Sequence, residues 1–128
     1  MQVLITGGLG YLGGRLASHL LHQGYKIFVG TRKGIESVKE PLSNAIPVQI
    51  DWSDQVSLES ATSGMDAVIH AAGMGAQACS ANPTKALEVN GLNTAMIVEA
   101  AIANGVRRFI YPSTVHVYSN PIVGNIDE

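Results

Sequence analysis

The stretch Ile5-Thr6-Gly7-Gly8-Leu9-Gly10-Tyr11-Leu12-Gly13-Gly14 decides the fold of this 128-residue chain. The apolar run Val3-Leu4-Ile5 that leads into it is typical of a strand buried on both faces of a sheet. Beyond the turn, apolar side chains recur every four residues and predict a helix with one buried stripe, formed by Leu12, Leu16 and Leu20. Gly24 is the expected C-terminal stop of that helix. The stretch therefore predicts a strand, a glycine-rich turn and a helix in direct succession.

The spacing of Gly7, Gly10 and Gly13 indicates what this turn binds. A tight turn, a backbone that approaches a pyrophosphate, and a helix packed closely on a strand each exclude a side chain. The start of the helix adds N–H groups and the positive end of the helix dipole, which attract phosphates. In this context the pattern predicts a dinucleotide-binding turn. The alternative is a merely flexible glycine loop.

Strand and helix patterns alternate along the rest of the chain. Further strands are predicted at residues 26–29, 46–50, 67–70 and 107–111, and a helix at residues 55–63. Asn82-Pro83 is a strong helix start, and that helix should run to about Ala103 before Asn104-Gly105. This alternation is typical of a parallel α/β sheet. We therefore predict one domain over residues 1–128, a Rossmann-type doubly wound parallel sheet of about five strands.

The end of the second predicted strand bears on the choice of cofactor. A carboxylate about 20 residues beyond the glycine turn would bind the ribose 2′-hydroxyl of NAD. This sequence instead has Arg32 and Lys33 there, two cations suited to a 2′-phosphate. We therefore expect NADP in preference to NAD. The alternative is that both cations are solvated loop charges and that NAD binds through other contacts.

Composition excludes several classes of protein. The net charge of −2 argues against a nucleic-acid partner, and no apolar run approaches the length of a membrane span. A single cysteine, Cys79, excludes an internal disulfide framework and suits the cytoplasm, and no metal site is predicted. Only 14% of the residues are charged, against about 25% in an average domain, which suggests that part of the surface is covered by more protein.

Four later segments add to the glycine pattern. They are Asp51-Trp52 after the third strand, Val68-Ile69-His70-Ala71-Ala72-Gly73 at the fourth, Asn90-Gly91-Leu92-Asn93-Thr94 in the long helix, and Phe109-Ile110-Tyr111-Pro112-Ser113-Thr114-Val115-His116-Val117-Tyr118 at the fifth. Over nearly all 128 residues the chain resembles the extended short-chain dehydrogenases/reductases, also called the NAD-dependent epimerase/dehydratase family. Position 93, an asparagine here, and the glycine at 91 depart from the family pattern.

The resemblance implies a role for each matching residue. Asp51 would meet the adenine amino group, small residues after the fourth strand would lie against the cofactor, and Asn90 would brace the central strands. The expected cofactor-binding residues are Gly7, Gly10, Tyr11, Leu12, Gly13, Arg32, Asp51, Trp52, Ala71, Ala72, Gly73 and Asn90. Thr114 is the expected catalytic residue, whose hydroxyl polarises a substrate oxygen, and Ser113 would line the substrate site beside it.

Plainer interpretations stay open for several of these residues. Asp51 could be a helix N-cap or a loop acid, although Ser53 and Asp54 could also cap there. Ser113 and Thr114 could simply cap the end of a strand. His70 is expected to be a packed strand histidine rather than a catalyst.

The family's reaction needs a tyrosine followed four residues later by a lysine, and no tyrosine of this chain has that lysine. We expect the catalytic helix, the remaining strands and the substrate-binding region to be missing here. The expected parent function is an NAD(P)-dependent epimerase, dehydratase or reductase acting on a small-molecule substrate, most commonly a nucleotide sugar in this family. Alone, the chain is expected to be inactive and prone to self-association as a homo-oligomer. The alternative is a non-catalytic NADP(H)-binding sensor that regulates a partner.

Overall fold

Five strands form a single sheet in the computed structural model, which describes residues 1–32, 42–114 and 124. They are β1 (Gln2–Thr6), β2 (Lys26–Thr31), β3 (Ile46–Gln49), β4 (Ala67–His70) and β5 (Arg108–Ile110). The strands run parallel in the order β3-β2-β1-β4-β5. The predicted five-stranded parallel sheet is therefore confirmed.

Helices connect the strands and cover both faces of the sheet. They are α1 (Tyr11–His22), α2 (Gln55–Thr62), α3 (Ala76–Ala81), α4 (Pro83–Ala86) and α5 (Asn93–Ala103), with a π-helical segment (Leu87–Leu92) between α4 and α5. Asn82 caps α4 as expected, since its side chain accepts a hydrogen bond from the amide of Lys85. One unbroken α-helix from Pro83 to Ala103 was the wrong prediction, because the π-helical segment interrupts it.

The core consists of two layers, one on each side of the sheet. On the α1 side, buried β-strand residues such as Val3 and Val29 pack with Ala17 of the helix. On the other side, Leu4 and Val68 pack with α2 and α5, whose buried residues include Leu58 and Ile97. Alternate residues of β1 thus face opposite layers, and the doubly wound arrangement is confirmed.

The predicted leucine stripe of α1 is only partly correct. Leu12 is 47% exposed, whereas the buried residues of the helix are Gly13 and Ala17. Leu16 and Leu20 are partly buried against the core. The first turn of α1 lies so close to the glycine turn that only a glycine fits on the inner side, and Leu12 therefore lies outside.

β5 is the edge strand of the described sheet, where it pairs with β4. Its Ile110 is 47% exposed, and the adjacent Tyr111 is also exposed. An apolar strand at a sheet edge offers unpaired backbone groups to another chain. An open apolar edge is present in the described part of the molecule, and the expected self-association stays a prediction.

Candidate functional site

The predicted site residues meet at one edge of the sheet, apart from Asn90, which comes from a helix. In a parallel sheet all carboxyl ends share one edge, and Gly7, Arg32, Asp51 and Ala71 each follow the carboxyl end of a different strand. The chain moves outward in opposite directions from β1 and β4, the two neighbours at the centre. This reversal opens a crevice in which doubly wound folds bind their ligands.

The glycine turn is locked against the loop that follows β4. Gly7 has a φ of +67°, and a Cβ atom added there would lie 2.7 Å from the amide nitrogen of Ala72. A Cβ atom on Gly13 would collide with the carbonyl oxygen of Gly7. A Cβ atom on Gly8 would lie 2.8 Å from Cγ1 of Val29. Side chains are therefore excluded at Gly7 and Gly13 by backbone atoms, and at Gly8 by the side chain of Val29.

The start of α1 faces the same crevice. Gly10 is its N-cap and provides no side chain to bond the first amides. The amide of Gly10 donates to the carbonyl of Gly7 at 2.8 Å, and the amide of Gly14 donates to Gly10 at 2.8 Å. The amides of Tyr11, Leu12 and Gly13 precede the regular i→i−4 bonds of the helix, so this first turn can bind an anion.

The carboxyl ends of β2 and β3 carry the residues expected at the adenosine. Arg32 is exposed directly after β2, while Lys33 lies outside the described residues. Asp51 is exposed, and its Oδ1 accepts hydrogen bonds from the hydroxyl and the amide of Ser53, at 2.6 and 2.9 Å. Both bonds hold the pKa of Asp51 below its usual value. Asp51 is thus a carboxylate fixed in orientation at the site edge.

The capping alternative for Asp51 is wrong. The N-cap of α2 is Asp54, whose two carboxylate oxygens accept from the amides of Val56 and Ser57 at 3.1 and 3.2 Å. Asp51 lies three residues earlier. The helix therefore has its own capping acid, and the Asp51 carboxylate bonds Ser53 in the loop before it.

Asn90 does not brace the central strands directly, which corrects that expectation. Its side chain accepts from the amide of Met74 at 2.7 Å and donates to the carbonyl of Met74 at 3.1 Å. The side-chain oxygen would also lie 3.1 Å from a Cβ atom on Gly73. Asn90 therefore holds the loop after β4, in which Ala71, Ala72 and Gly73 lie. The π-helical segment that carries it is of a type frequent at functional sites.

His70 is a buried strand histidine, as expected. It is 1% exposed, its Nδ1 lies 2.6 Å from the hydroxyl oxygen of Thr6, and its Nε2 lies 3.0 Å from that of Thr94. Burial lowers the pKa of the imidazole from 6.5 to about 4. Sequence reasoning identified the histidine but missed both threonines. A polar residue inside an apolar strand was the only available signal.

Ser113 and Thr114 are exposed and follow β5 at the same sheet edge. Tyr111, two residues before Ser113, stacks on the His70 ring with 5.8 Å between ring centroids. The segment is thereby attached to the centre of the sheet. His116 and Tyr118 of the same motif lie outside the described residues.

The described ranges contain neither a candidate metal site nor a candidate membrane-spanning helix. Among residues 1–32, 42–114 and 124, no group of three or more His, Cys, Asp or Glu side chains could hold a metal ion. Within these same ranges, no helix has the length and apolar character needed to cross a bilayer.

Known proteins match the chain over its whole length. The family model for the NAD dependent epimerase/dehydratase family matches residues 3–127. A UDP-glucose 4-epimerase of Bacillus subtilis is 32% identical over 138 residues, covering 100% of this chain and 41% of that protein. A UDP-glucose 4-epimerase sequence from Klebsiella pneumoniae is 31% identical over 130 residues, covering 94% of each. The solved UDP-glucose 4-epimerase of Bifidobacterium longum, in complex with NAD+ and UDP, has a TM-score of 0.86 at 26% identity, covering 100% of this chain and 41% of that one.

The chain belongs to the NAD-dependent epimerase/dehydratase family, since the family match spans nearly all of it. It spans about two fifths of the length of the Bacillus subtilis and Bifidobacterium longum relatives. The resemblance inferred from the sequence motifs is confirmed.

Proposed function

We propose that this chain supplies the dinucleotide-binding part of an NAD(P)-dependent epimerase, dehydratase or reductase that acts on a nucleotide sugar. The observation that carries the proposal is the close contact between Gly7 and the Ala71-Ala72 backbone, beside the open first turn of α1. This contact leaves a surface of backbone groups at the crevice between β1 and β4. Such a surface suits a pyrophosphate, which a side chain at the turn would exclude.

The roles of the other site residues follow from their positions. The amides of Tyr11, Leu12 and Gly13 would bind the pyrophosphate, with Gly10 leaving them accessible. Asp51 and Trp52, after β3, would meet the adenine, and the loop of Ala71, Ala72 and Gly73 would lie along the cofactor. Asn90 would act through that loop, because it holds Met74.

We infer a preference for NADP from Arg32. Its guanidinium is exposed at the end of β2, where the adenosine ribose would lie, and it offers a planar fork of donors to a phosphate. The solved UDP-glucose 4-epimerase of Bifidobacterium longum is in complex with NAD+, so a preference for NADP would distinguish this chain from that relative. If Arg32 instead bound only the ribose hydroxyls, NAD would be the ligand.

For the chemistry, Thr114 would hold the substrate oxygen through its hydroxyl, with Ser113 beside it. When bound, the nicotinamide supplies the hydride acceptor or donor. The related UDP-glucose 4-epimerases of Bacillus subtilis and Klebsiella pneumoniae favour a nucleotide sugar as the substrate class. The 128 residues alone are expected to show no turnover of such a substrate.

Direct titration tests the proposal. NADH and NADPH are added separately to the purified chain and binding is followed by nicotinamide fluorescence and by calorimetry. We expect both to bind, with NADPH binding about tenfold more tightly, which corresponds to about 1.4 kcal/mol. Arg32→Ala should remove that difference and leave NADH binding unchanged. The matched control is Arg108→Ala, which removes an exposed cation at the amino end of β5, opposite the proposed site. If neither NADH nor NADPH bound, the proposal would be contradicted.

A further inference from the structure

We propose that His70 is a positioning residue: through Thr6 and Thr94 it fixes the loop of residues 71–74 against the glycine turn, and thereby sets the affinity for the dinucleotide. The inference rests on the proposed function. It assigns a task to a buried polar group that lies beneath the site.

The hydrogen bonds around His70 are consistent with only one neutral form of the ring. The hydroxyl of Thr94 donates to the carbonyl of Asn90 at 2.9 Å, so its oxygen is available to accept from Nε2 of His70. The other ring nitrogen, Nδ1, then accepts from the hydroxyl of Thr6. The Thr6 oxygen in turn accepts from the amide of Ala72 at 3.3 Å. Every donor in this series of hydrogen bonds finds an acceptor when the ring proton of His70 is on Nε2.

Both ends of this chain of hydrogen bonds reach the loop after β4. At one end the amide of Ala72 is bound, and this nitrogen is the atom that lies 2.7 Å from the Cβ position of Gly7. At the other end the chain reaches the carbonyl of Asn90, whose side chain binds both backbone groups of Met74. Residues 72 and 74 are thus anchored through the same imidazole. A shift of the ring would change the separation between the loop and the pyrophosphate turn.

A protonated ring could not serve the same function. Both nitrogens would then donate, and the hydroxyl proton of Thr6 would lose its acceptor inside the core. The ring is surrounded by Trp52, Phe109 and Tyr111, with centroid separations of 5.7, 6.1 and 5.8 Å. The described residues that contact the ring are Thr6, Trp52, Thr94, Phe109 and Tyr111. Among these five, the phenol of Tyr111 is the only titratable group. Burial accordingly lowers the pKa of His70 to about 4.

The hydrogen bonds that run from Thr6 through His70 to Thr94 are called the relay below. Two pairs of variants separate the effect of this relay from a general loss of packing. Thr6→Ser keeps the hydroxyl and Thr6→Val replaces it with a methyl group of similar size. His70→Asn places an amide oxygen close to the position of Nδ1 and keeps an acceptor for Thr6. His70→Gln places an amide nitrogen close to the position of Nε2 and keeps only the bond to Thr94. The Thr6 pair keeps or removes the oxygen that accepts from the amide of Ala72. The His70 pair keeps or removes the acceptor for the Thr6 hydroxyl, so both pairs test the Thr6 end of the hydrogen-bonded series.

The measurement is the Kd of the full 128-residue chain for NADH and NADPH, together with its thermal unfolding. We expect Thr6→Val and His70→Gln to weaken binding about tenfold, and Thr6→Ser and His70→Asn to weaken it less than about threefold. In the wild type the Kd should be constant from pH 8 to about 6 and rise below about pH 5, while in His70→Asn this acid rise should be absent. If the loss of affinity in the four variants follows their loss of thermal stability, and not the division within each pair, His70 has a purely structural role and the proposal is wrong.

The outcomes distinguish this inference from the proposed function. If the wild-type chain binds and all four variants bind as tightly, the relay is wrong while the proposed function stands. If the wild-type chain binds neither nucleotide, the proposed function is wrong and the relay fails with it. Should a variant fail to fold, the wild type still decides, because nitrogen NMR of His70 must show the proton on Nε2, and a proton on Nδ1 overturns the proposal.

Discussion

A Cβ atom on Gly7 would lie 2.7 Å from the amide nitrogen of Ala72 and 2.8 Å from the carbonyl carbon of Ala71. The turn after β1 and the loop after β4 therefore touch through their backbones. Because backbone atoms cannot rotate away as the end of a flexible side chain can, an alanine at position 7 must push the loop outward. The φ of +67° adds strain for any residue with a side chain.

Gly7→Ala should therefore weaken NAD(P)H binding at least about tenfold, or about 1.4 kcal/mol. The matched control is Gly64→Ala, since Gly64 has a similar φ of +70° but nothing within 4 Å of its Cβ position. Both variants should lose about 1 kcal/mol of stability from the backbone strain, with an additional loss for Gly7→Ala. Fluorescence titration and urea unfolding measure the two quantities. Equal affinities in the two variants would contradict a role of the turn in binding.

Asp51 and Asp54 offer a second separation of binding from stability. Asp54→Ala removes the N-cap of α2, and should lower the free energy of unfolding by about 1 kcal/mol. Asp51→Ala removes an exposed carboxylate that, within the described residues, accepts hydrogen bonds from Ser53 alone. It should change the free energy of unfolding by less than about 0.5 kcal/mol. Only Asp51→Ala should weaken nucleotide binding, because Asp51 lies at the proposed adenine site.

Urea unfolding and an NADPH titration on both variants check this pair. A stability loss that is larger in Asp51→Ala than in Asp54→Ala would mean that Asp51 stabilises the fold. Its proposed contact with the adenine would then lose its support.

The pattern of apolar runs in the sequence predicted most of the fold. β4 has the predicted bounds, residues 67–70, because four consecutive apolar or buried residues lie between turn residues. β2 extends two residues beyond its predicted end at Val29. Gly30 interrupts the apolar run, but it pairs with Thr6 on one side and Val48 on the other, and these tertiary hydrogen bonds outweigh a glycine's low preference for strands.

The helices after β4 were harder to predict. α3 has only six residues, and its N-cap Gly75 provides no side-chain hydrogen bond, so the sequence contains no start signal. The π-helical segment has no distinct periodic signal either, since it differs from an α-helix by about one residue in a turn. The partners of His70 lie 64 and 24 residues away, and only the folded sheet brings them together.

A third prediction concerns the contact between α2 and α5. The hydroxyl of Thr62 is fully buried, lies 3.2 Å from the carbonyl of Ala100 and accepts from the side-chain amide of Asn104 at 2.9 Å. Thr62→Val should lower the free energy of unfolding by about 1 to 2 kcal/mol, because it leaves the amide of Asn104 without this acceptor. Thr62→Ser, which keeps the hydroxyl, is the control and should lose less.

Asn104→Ala removes the other member of this contact. Since the two side chains share one network, the double variant Thr62→Val/Asn104→Ala should lose less than the sum of the two single losses. Urea unfolding of all three variants gives the coupling. Strict additivity would show that the two side chains act independently.

The pH dependence of stability gives the fourth prediction. Burial lowers the pKa of His70 from 6.5 to about 4 in the folded chain. Between these two values the unfolded chain binds a proton that the folded chain does not, so stability is complete above about pH 6.5 and falls as the pH approaches 4. One pKa unit corresponds to about 1.4 kcal/mol, and we expect a loss of about 2 to 3 kcal/mol across this range.

The carboxylates act in a lower window and can be separated from His70. The pKa values of Asp51 and Asp66 are held below their usual 3.8 by hydrogen bonds, so their contribution is lost only as the pH falls below about that value. Urea unfolding of the wild type and His70→Asn at several pH values between 7.5 and 4.5 isolates the imidazole, because all carboxylates are common to both proteins. The wild-type free energy should fall more steeply with decreasing pH, and parallel curves would mean that the folded chain accommodates a protonated His70.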